Sequence, residues 1–312
     1  MKTMLLATAL ALLSVTVAQA ADCSKADGDL ASAICNSAEL TKADAATDVA
    51  YKAALKAVGP KMAKVLKAST AAWDDNRYED CEDTSDDEPK PEEVVACLIA
   101  DAHDHTAYLT GMPLDGPGYG EAMLPQVMTG ADGVFEEYMR FTAPKSAASK
   151  AFNAALDKLI KDTRLAKTED HVSDWLSMQL TYASPELISA NFDLSKEEGF
   201  AHPMMSDLAV NIDGKTGKEF LIADLLDDAG IKAIEDNCAA QLKDYIAAGT
   251  EGSDVRADNV QGMADNLAAW SFGGKAATLH YTEYDADAYH TCTIGYDVLR
   301  PLAKASFPLP NG

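Results

Sequence analysis

The stretch "AAWDDNRYEDCED", residues 71–83, decides how the first part of the chain folds. Trp73, Arg77 and Cys81 follow one another at spacings of four, which places their side chains on one face of a helix. Acidic residues fill the positions between them, which predicts a solvent-exposed opposite face. We therefore interpret the stripe as structural: Trp73 fills a helix seam, Arg77 pairs with a carboxylate, and Cys81 joins a disulfide.

Helical patterns lie on both sides of this stretch. Residues 36–58 carry apolar side chains at spacings of three and four, and Gly59-Pro60 ends that pattern and opens the next helix, which runs to about Cys81. A polar loop follows, and Pro91 opens a third helix that ends at Gly111. The sequence therefore predicts a small all-α three-helix domain over residues 21–110.

The cysteine count indicates disulfides. The chain has 6 cysteines, an even number, at Cys23, Cys35, Cys81, Cys97, Cys238 and Cys292. Helix lengths measured from the turn at 59–60 place the first four at one pole of the helical domain, with all three pairings of the four open. The last two are expected to pair with each other inside a second unit, so that no thiol remains free.

The N-terminus is typical of an exported protein. Residues 1–20 combine Lys2, a short apolar run and the small residues Ala18 and Ala20, which together indicate a signal peptide cleaved near Ala20. The apolar run is too short for a spanning helix. We expect a soluble mature protein, periplasmic or secreted, without membrane insertion.

A different pattern begins after the Gly- and Pro-rich linker at 111–120. Segments with a period of two, such as 173–182, mix with helical segments such as 146–163, without regular alternation. This mixture predicts an α+β domain with a largely antiparallel sheet over residues 121–312. The expected protein is thus multi-domain: a disulfide-stapled helical domain, a linker and an α+β domain.

Net charge narrows the class of partner. The chain has 26 basic and 50 acidic residues, a formal charge of −24. Such a chain repels nucleic acid and anionic membranes and speeds encounter with cationic partners. We therefore expect a cationic protein partner and no nucleic acid.

The sequence holds no clear sign of catalysis or of a cofactor. It lacks a Gly-x-Ser-x-Gly nucleophile elbow and a phosphate-cradling glycine loop. His103 and His105 are two apart, so they point to different sides of a helix and form a poor metal site. We expect no enzyme activity, no cofactor and no metal site, with a cell-wall hydrolase of unrecognised type as the third alternative.

The helical part resembles a known family on specific residues. The Trp73, Arg77 and Cys81 helix, the following Cys97-Leu98 helix and Tyr51 resemble the secreted domain of the LprI-type lysozyme inhibitors over about residues 22–110. Three positions depart from the family pattern, at Thr70, Ala102 and His105. The resemblance implies a helical scaffold stapled by disulfides and a lysozyme-binding role, with Tyr51, Trp73 and Arg77 as its structural motif.

The later part resembles a second family. Residues 199–203 (Gly-Phe-Ala-His-Pro), Thr216-Gly217-Lys218 and Ala223-Asp224-Leu225 are similar to motifs of the extracellular domain of the lysozyme-sensing anti-sigma factor RsiV and of peptidoglycan deacetylase tails. The likeness covers about residues 130–305. It implies an extracellular binding domain in which His202 is either a partner contact or a hydrogen-bonded turn residue.

Both resemblances lead to one functional hypothesis. We expect a periplasmic, non-enzymatic protein that binds or inhibits lysozyme, with the acidic residues Asp83, Asp86, Asp87 and Glu88 and the turn residue His202 as partner contacts. The alternative is a cell-envelope accessory module that binds peptidoglycan or an envelope protein.

Overall fold

A computed structural model describes residues 28–82, 90–129, 134–162, 175–196, 204–243, 263–280, 284–285 and 291–311. The signal peptide, Cys23, the loop acids Asp83, Asp86, Asp87 and Glu88, and His202 lie outside these residues. None of the helices within these ranges combines the length and the apolar character that crossing a bilayer requires.

Four helices form the first part of the structure: α1 (Gly28–Asn36), α2 (Ala38–Ala57), α3 (Pro60–Glu82) and α4 (Pro91–Thr110). The last three match the helices that the sequence predicts, and α1 is an additional short helix. Ser37 accepts a hydrogen bond from the amide of Leu40 and so caps α2. Pro91 occupies the first turn of α4, and Gly111 ends it in the left-handed conformation, with φ 65°.

The largest sheet has six strands in the order β1-β2-β3-β4-β5-β8: β1 (Met123–Thr129), β2 (Val134–Phe141), β3 (Trp175–Ala183), β4 (Leu187–Lys196), β5 (Met204–Asp213) and β8 (Tyr284–Asp285). Helix α5 (Ala147–Asp162) lies between β2 and β3 in the chain, and these two strands are parallel. Every other neighbouring pair is antiparallel. Strands β3 and β4 form an antiparallel hairpin that turns at Ser184-Pro185.

A second sheet has the order β6-β7-β9: β6 (Trp270–Phe272), β7 (Ala276–Leu279) and β9 (Cys292–Gly295). The helices α6 (Ile222–Leu225), α7 (Asp228–Gln241) and α8 (Tyr296–Leu299) belong to the same region. The predicted Cys238–Cys292 disulfide joins α7 to β9, with a Cα–Cα distance of 5.4 Å. The largely antiparallel α+β architecture that the sequence predicts is confirmed.

Within the part of the chain that the structure describes, buried side chains form three clusters. One lies at the disulfide end of the helices around Leu40, Val94 and Leu98, and another fills the second sheet around Trp270. The largest continues from Leu66 and Tyr108 of the helices into the six-stranded sheet. Helices α3 and α4 therefore pack against that sheet, while the predicted boundaries at residues 110 and 120 stay a prediction.

Candidate functional site

The Trp73–Arg77–Cys81 stripe of α3 faces α2 and α4. Arg77 is 7 % exposed, and its guanidinium donates to Asp44 Oδ1 at 3.0 Å and to the Leu98 carbonyl at 3.2 Å. Its Nε also lies 3.6 Å from Asp101 Oδ2. Arg77 thus holds three helices together through one buried charge.

Trp73 is half-buried and makes several specific contacts. Its ring stacks on His105 with 4.0 Å between centroids, and the Arg77 guanidinium lies 4.6 Å from its centroid. Its indole nitrogen donates to Asp101 at 3.1 Å. Burial, assisted by the charge of Arg77, lowers the pKa of His105 to about 3, so this imidazole is neutral. Tyr51 lies half-buried on α2 against the largest core cluster.

The disulfide pole of the helices carries an acidic surface. Cys81 and Cys97 are joined with a Cα–Cα distance of 5.7 Å, and Cys35 is also disulfide-bonded. Within the described ranges no cysteine is free. The exposed side chains that flank this bridge on α3 and α4 include Asp74, Asp75, Glu79, Asp80, Glu82, Glu92 and Glu93. The bridge therefore joins the last turn of α3 to the early turns of α4.

A cavity of about 230 Å³ lies between the helices and the six-stranded sheet. Asp104 and Leu114 are exposed at its mouth, while His105 and Met139 are buried. Polar groups enter from both sides and include Trp73, Asp101, Asp104 and His105 on the helices, and Glu137, Ser177, Gln179 and Asp193 on the strands. Gln179 donates to Asp104 at 2.9 Å across the opening.

The cavity residues that lie on the strands belong to a row of polar side chains that runs across the six-stranded sheet. Glu137 lies beside Ser177, Ser177 beside Asp193, and Asp193 beside Asp207, each on a neighbouring strand. Ser177 donates to Asp193 at 3.3 Å, and Ser69 of α3 donates to Glu137. Period-two alternation places such a row on one face of the sheet, whereas the covering of this face by helices depends on contacts between residues far apart in sequence.

Burial changes the ionisation of this row. It raises the pKa of Glu137 to about 7. Burial and the neighbouring Asp207 raise the pKa of Asp193 well above its usual range. Burial also opposes ionisation of Asp207, but hydrogen bonds, chiefly from His280, together hold the pKa of Asp207 below its usual value. Near neutral pH these shifts favour one proton and one negative charge on the Asp193–Asp207 pair as a whole.

The row continues into a serine–histidine–aspartate chain. Asp207 Oδ2 lies 3.2 Å from His280 Nδ1, and His280 Nε2 lies 2.7 Å from Ser271 Oγ. This is the hydrogen-bond order of a nucleophilic triad, and sequence spacing did not reveal it. Ser271 is only 4 % exposed, so its hydroxyl is not presented to a substrate. These hydrogen bonds between Asp207, His280 and Ser271 link β5 to the second sheet.

In the described ranges, histidine, cysteine, aspartate and glutamate side chains do not form a group of three that could hold a metal ion. The predicted contacts Asp83, Asp86, Asp87, Glu88 and His202 are outside those ranges and stay predictions.

Comparison with known proteins finds a family similar to the first part of the chain. Residues 20–109 match the family described as lysozyme inhibitor LprI. The fold is similar to a crystal structure of a DUF3298 family protein from Pseudomonas aeruginosa PAO1, at 15 % identity and a TM-score of 0.40, covering 64 % of this chain and 99 % of that one. A DUF3298 family member from Bacteroides fragilis is similar at 10 % identity and a TM-score of 0.38, covering 59 % and 92 %.

No curated protein matches the chain. The family match confirms the resemblance that the Trp73, Arg77 and Cys81 pattern indicates. The resemblance of the later part to the anti-sigma factor continues to rest on its sequence motifs.

Proposed function

We propose, from the match of residues 20–109 to the LprI family, that this chain binds a lysozyme-type enzyme and inhibits it without catalysis. That match is the observation that carries the proposal. The disulfides fit an oxidising compartment outside the cytoplasm. A periplasmic location after cleavage near Ala20 is part of the same proposal.

Charge complementarity supports a cationic partner. Animal-type lysozymes are strongly cationic, whereas this chain has a formal charge of −24. The exposed acids of α3 and α4 surround the Cys81–Cys97 bridge, and the 83–89 loop adds Asp83, Asp86, Asp87 and Glu88. Such a surface accelerates association and favours correct orientation more than it strengthens the final complex.

The mechanism we propose is occlusion of the enzyme's substrate cleft by the acidic loop. A loop whose ends are joined by a disulfide has fewer conformations to lose on binding, so less of the interaction energy is spent on ordering it. The second part of the chain, including the turn at His202, adds contact area.

The quadruple change Asp83→Asn, Asp86→Asn, Asp87→Asn and Glu88→Gln tests the role of the loop. We expect slower association with lysozyme, nearly unchanged dissociation and a weaker dependence on salt, because rim charges act through a screened field. Surface-based binding kinetics at two ionic strengths measures all three quantities.

A matched control removes the same four charges from exposed positions in the later part of the chain: Glu219→Gln, Asp228→Asn, Asp265→Asn and Asp297→Asn. It should associate faster than the loop variant. Equal slowing in both variants would show that only total charge matters, and an unchanged loop variant would move the contact elsewhere, with the 199–203 turn next to be tested.

A further inference from the structure

We propose that the cavity between α3, α4 and the six-stranded sheet is a binding site for an organic cation, an alkylguanidinium or alkylammonium group with its alkyl stem. The residues that line this cavity come from both the helices and the sheet, whereas the family match covers only residues 20–109. The proposal is independent of lysozyme inhibition.

The charge of the lining favours a cation. Four carboxyl groups line the cavity, at Asp101, Asp104, Glu137 and Asp193, and among the described residues the lining includes no lysine or arginine. The neighbouring cation Arg77 binds Asp44 and the Leu98 carbonyl, and its Nε lies 3.6 Å from Asp101. Asp104, Glu137 and Asp193 are therefore the lining carboxyls that a ligand cation would meet. A ligand that brings positive charge would compensate carboxylates that are otherwise costly to ionise in a buried place.

An unpartnered ring nitrogen on a residue that lines the cavity provides an independent observation. His105 is 6 % exposed, and its Nε2 is buried with no hydrogen-bond partner among the residues that the structure describes. Buried polar atoms are nearly always hydrogen-bonded. Because this imidazole is neutral, one of its ring nitrogens accepts, and an N–H donor of a ligand would satisfy it.

The shape of the site selects an extended cation over a metal ion. In the described part of the chain no three acidic or histidine side chains lie close enough together to hold a metal. A guanidinium spreads five N–H donors over a plane and so reaches separated acceptors. Leu114, Met139, Met178 and Leu180 supply apolar wall for an alkyl stem.

Protons compete with this ligand for the same carboxylates. Glu137 and Asp193 bind protons near neutral pH or above it, so we expect affinity for the cation to rise at least tenfold from pH 6 to pH 9. Other ionisable groups face Glu137 and Asp193. On the helices these are Arg77 of α3 and Asp101, Asp104, His105 and Tyr108 of α4, and on the sheet they are Asp207 of β5 and, beyond it, His280. His105 stays neutral over this range.

The test is calorimetric titration of the full mature chain with butylguanidinium and with butylammonium. Butylurea, which resembles butylguanidinium in shape but is uncharged, is the control ligand. We expect saturable binding of at least one cation, weaker binding of butylurea, and a loss of at least tenfold in affinity for Glu137→Gln and Asp193→Asn. Asp265→Asn removes an exposed acid far from the lining and should bind as the wild type does. Absence of saturable cation binding at pH 9, or equal binding of butylurea, would overturn the proposal.

A second arm separates two sources of the cation. If butylguanidinium competes with lysozyme, the natural occupant is an arginine or lysine side chain of the protein partner. If it binds without competing, the occupant is a free small cation. The first titration contains no lysozyme, so its failure is distinguishable from failure of the proposed inhibition.

Discussion

Replacing Arg77 by methionine should destabilise the folded chain by about 3–5 kcal/mol, because it removes the guanidinium that pairs with the buried carboxylate of Asp44. Methionine keeps much of the apolar stem, so the loss comes mainly from the charge. Chemical unfolding followed by circular dichroism at neutral pH measures the difference. Arg77→Met combined with Asp44→Asn should recover part of the stability, since the uncompensated charge is then gone.

The surface ion pair of Arg140 and Asp157 provides the control. Its side chains are 35 % and 56 % exposed, and Arg140→Met should cost no more than about 1 kcal/mol. If Arg77→Met is as mild as Arg140→Met, the stripe on α3 does not hold the helices together. Intact stability with lost partner binding would then mark Trp73 and Arg77 as binding residues.

Stability should fall as pH rises from about 4.5 to about 7, and Glu137 should account for part of the fall. The folded state holds the pKa of Glu137 near 7, whereas an exposed glutamate has a value of 4.5. Between these values the unfolded chain releases a proton that the folded chain keeps, so each rise in pH favours unfolding. Glu137→Gln should remove a decline on the order of 2 kcal/mol.

Urea unfolding at pH 5 and pH 8, in a buffer without organic cations, tests this expectation. Asp207 does not contribute in this window, because its lowered pKa keeps it ionised in both states above about pH 5. Asp265→Asn removes an exposed charge and should decline with pH as the wild type does. A decline in Glu137→Gln equal to that of the wild type would show that Glu137 is solvated.

Local sequence patterns were sufficient for most of the fold. Gly59-Pro60 predicts the end of α2 and the start of α3, Pro91 predicts the start of α4, and Gly111 predicts its end, because proline and glycine restrict helices through their own backbone geometry. The even cysteine count predicts the Cys238–Cys292 bridge. The helix ends depend on neighbours in sequence, whereas the bridge spans 54 residues and was predictable from the number and grouping of the cysteines.

The candidate cavity depends on distant contacts, and the sequence did not predict it. The spacing of His103 and His105 indicates only a weak metal pair, whereas in the structure His105 stacks on Trp73 of another helix. Glu137, Asp193 and Asp207 come from three strands, and their shared burial depends on strand order and on helices covering one face. An acidic residue in a strand with a buried face was the available signal, but it does not reveal its partners.

Titrating the mature chain into a cationic animal-type lysozyme at low ionic strength, with bacterial cell-wall lysis as the readout, tests the central claim most directly. We predict that the lysis rate falls with added protein, that the effect saturates near one equivalent, and that higher salt weakens it. An unchanged lysis rate, with no binding detected at low salt, would contradict lysozyme inhibition and favour a cell-envelope accessory module that binds peptidoglycan or an envelope protein.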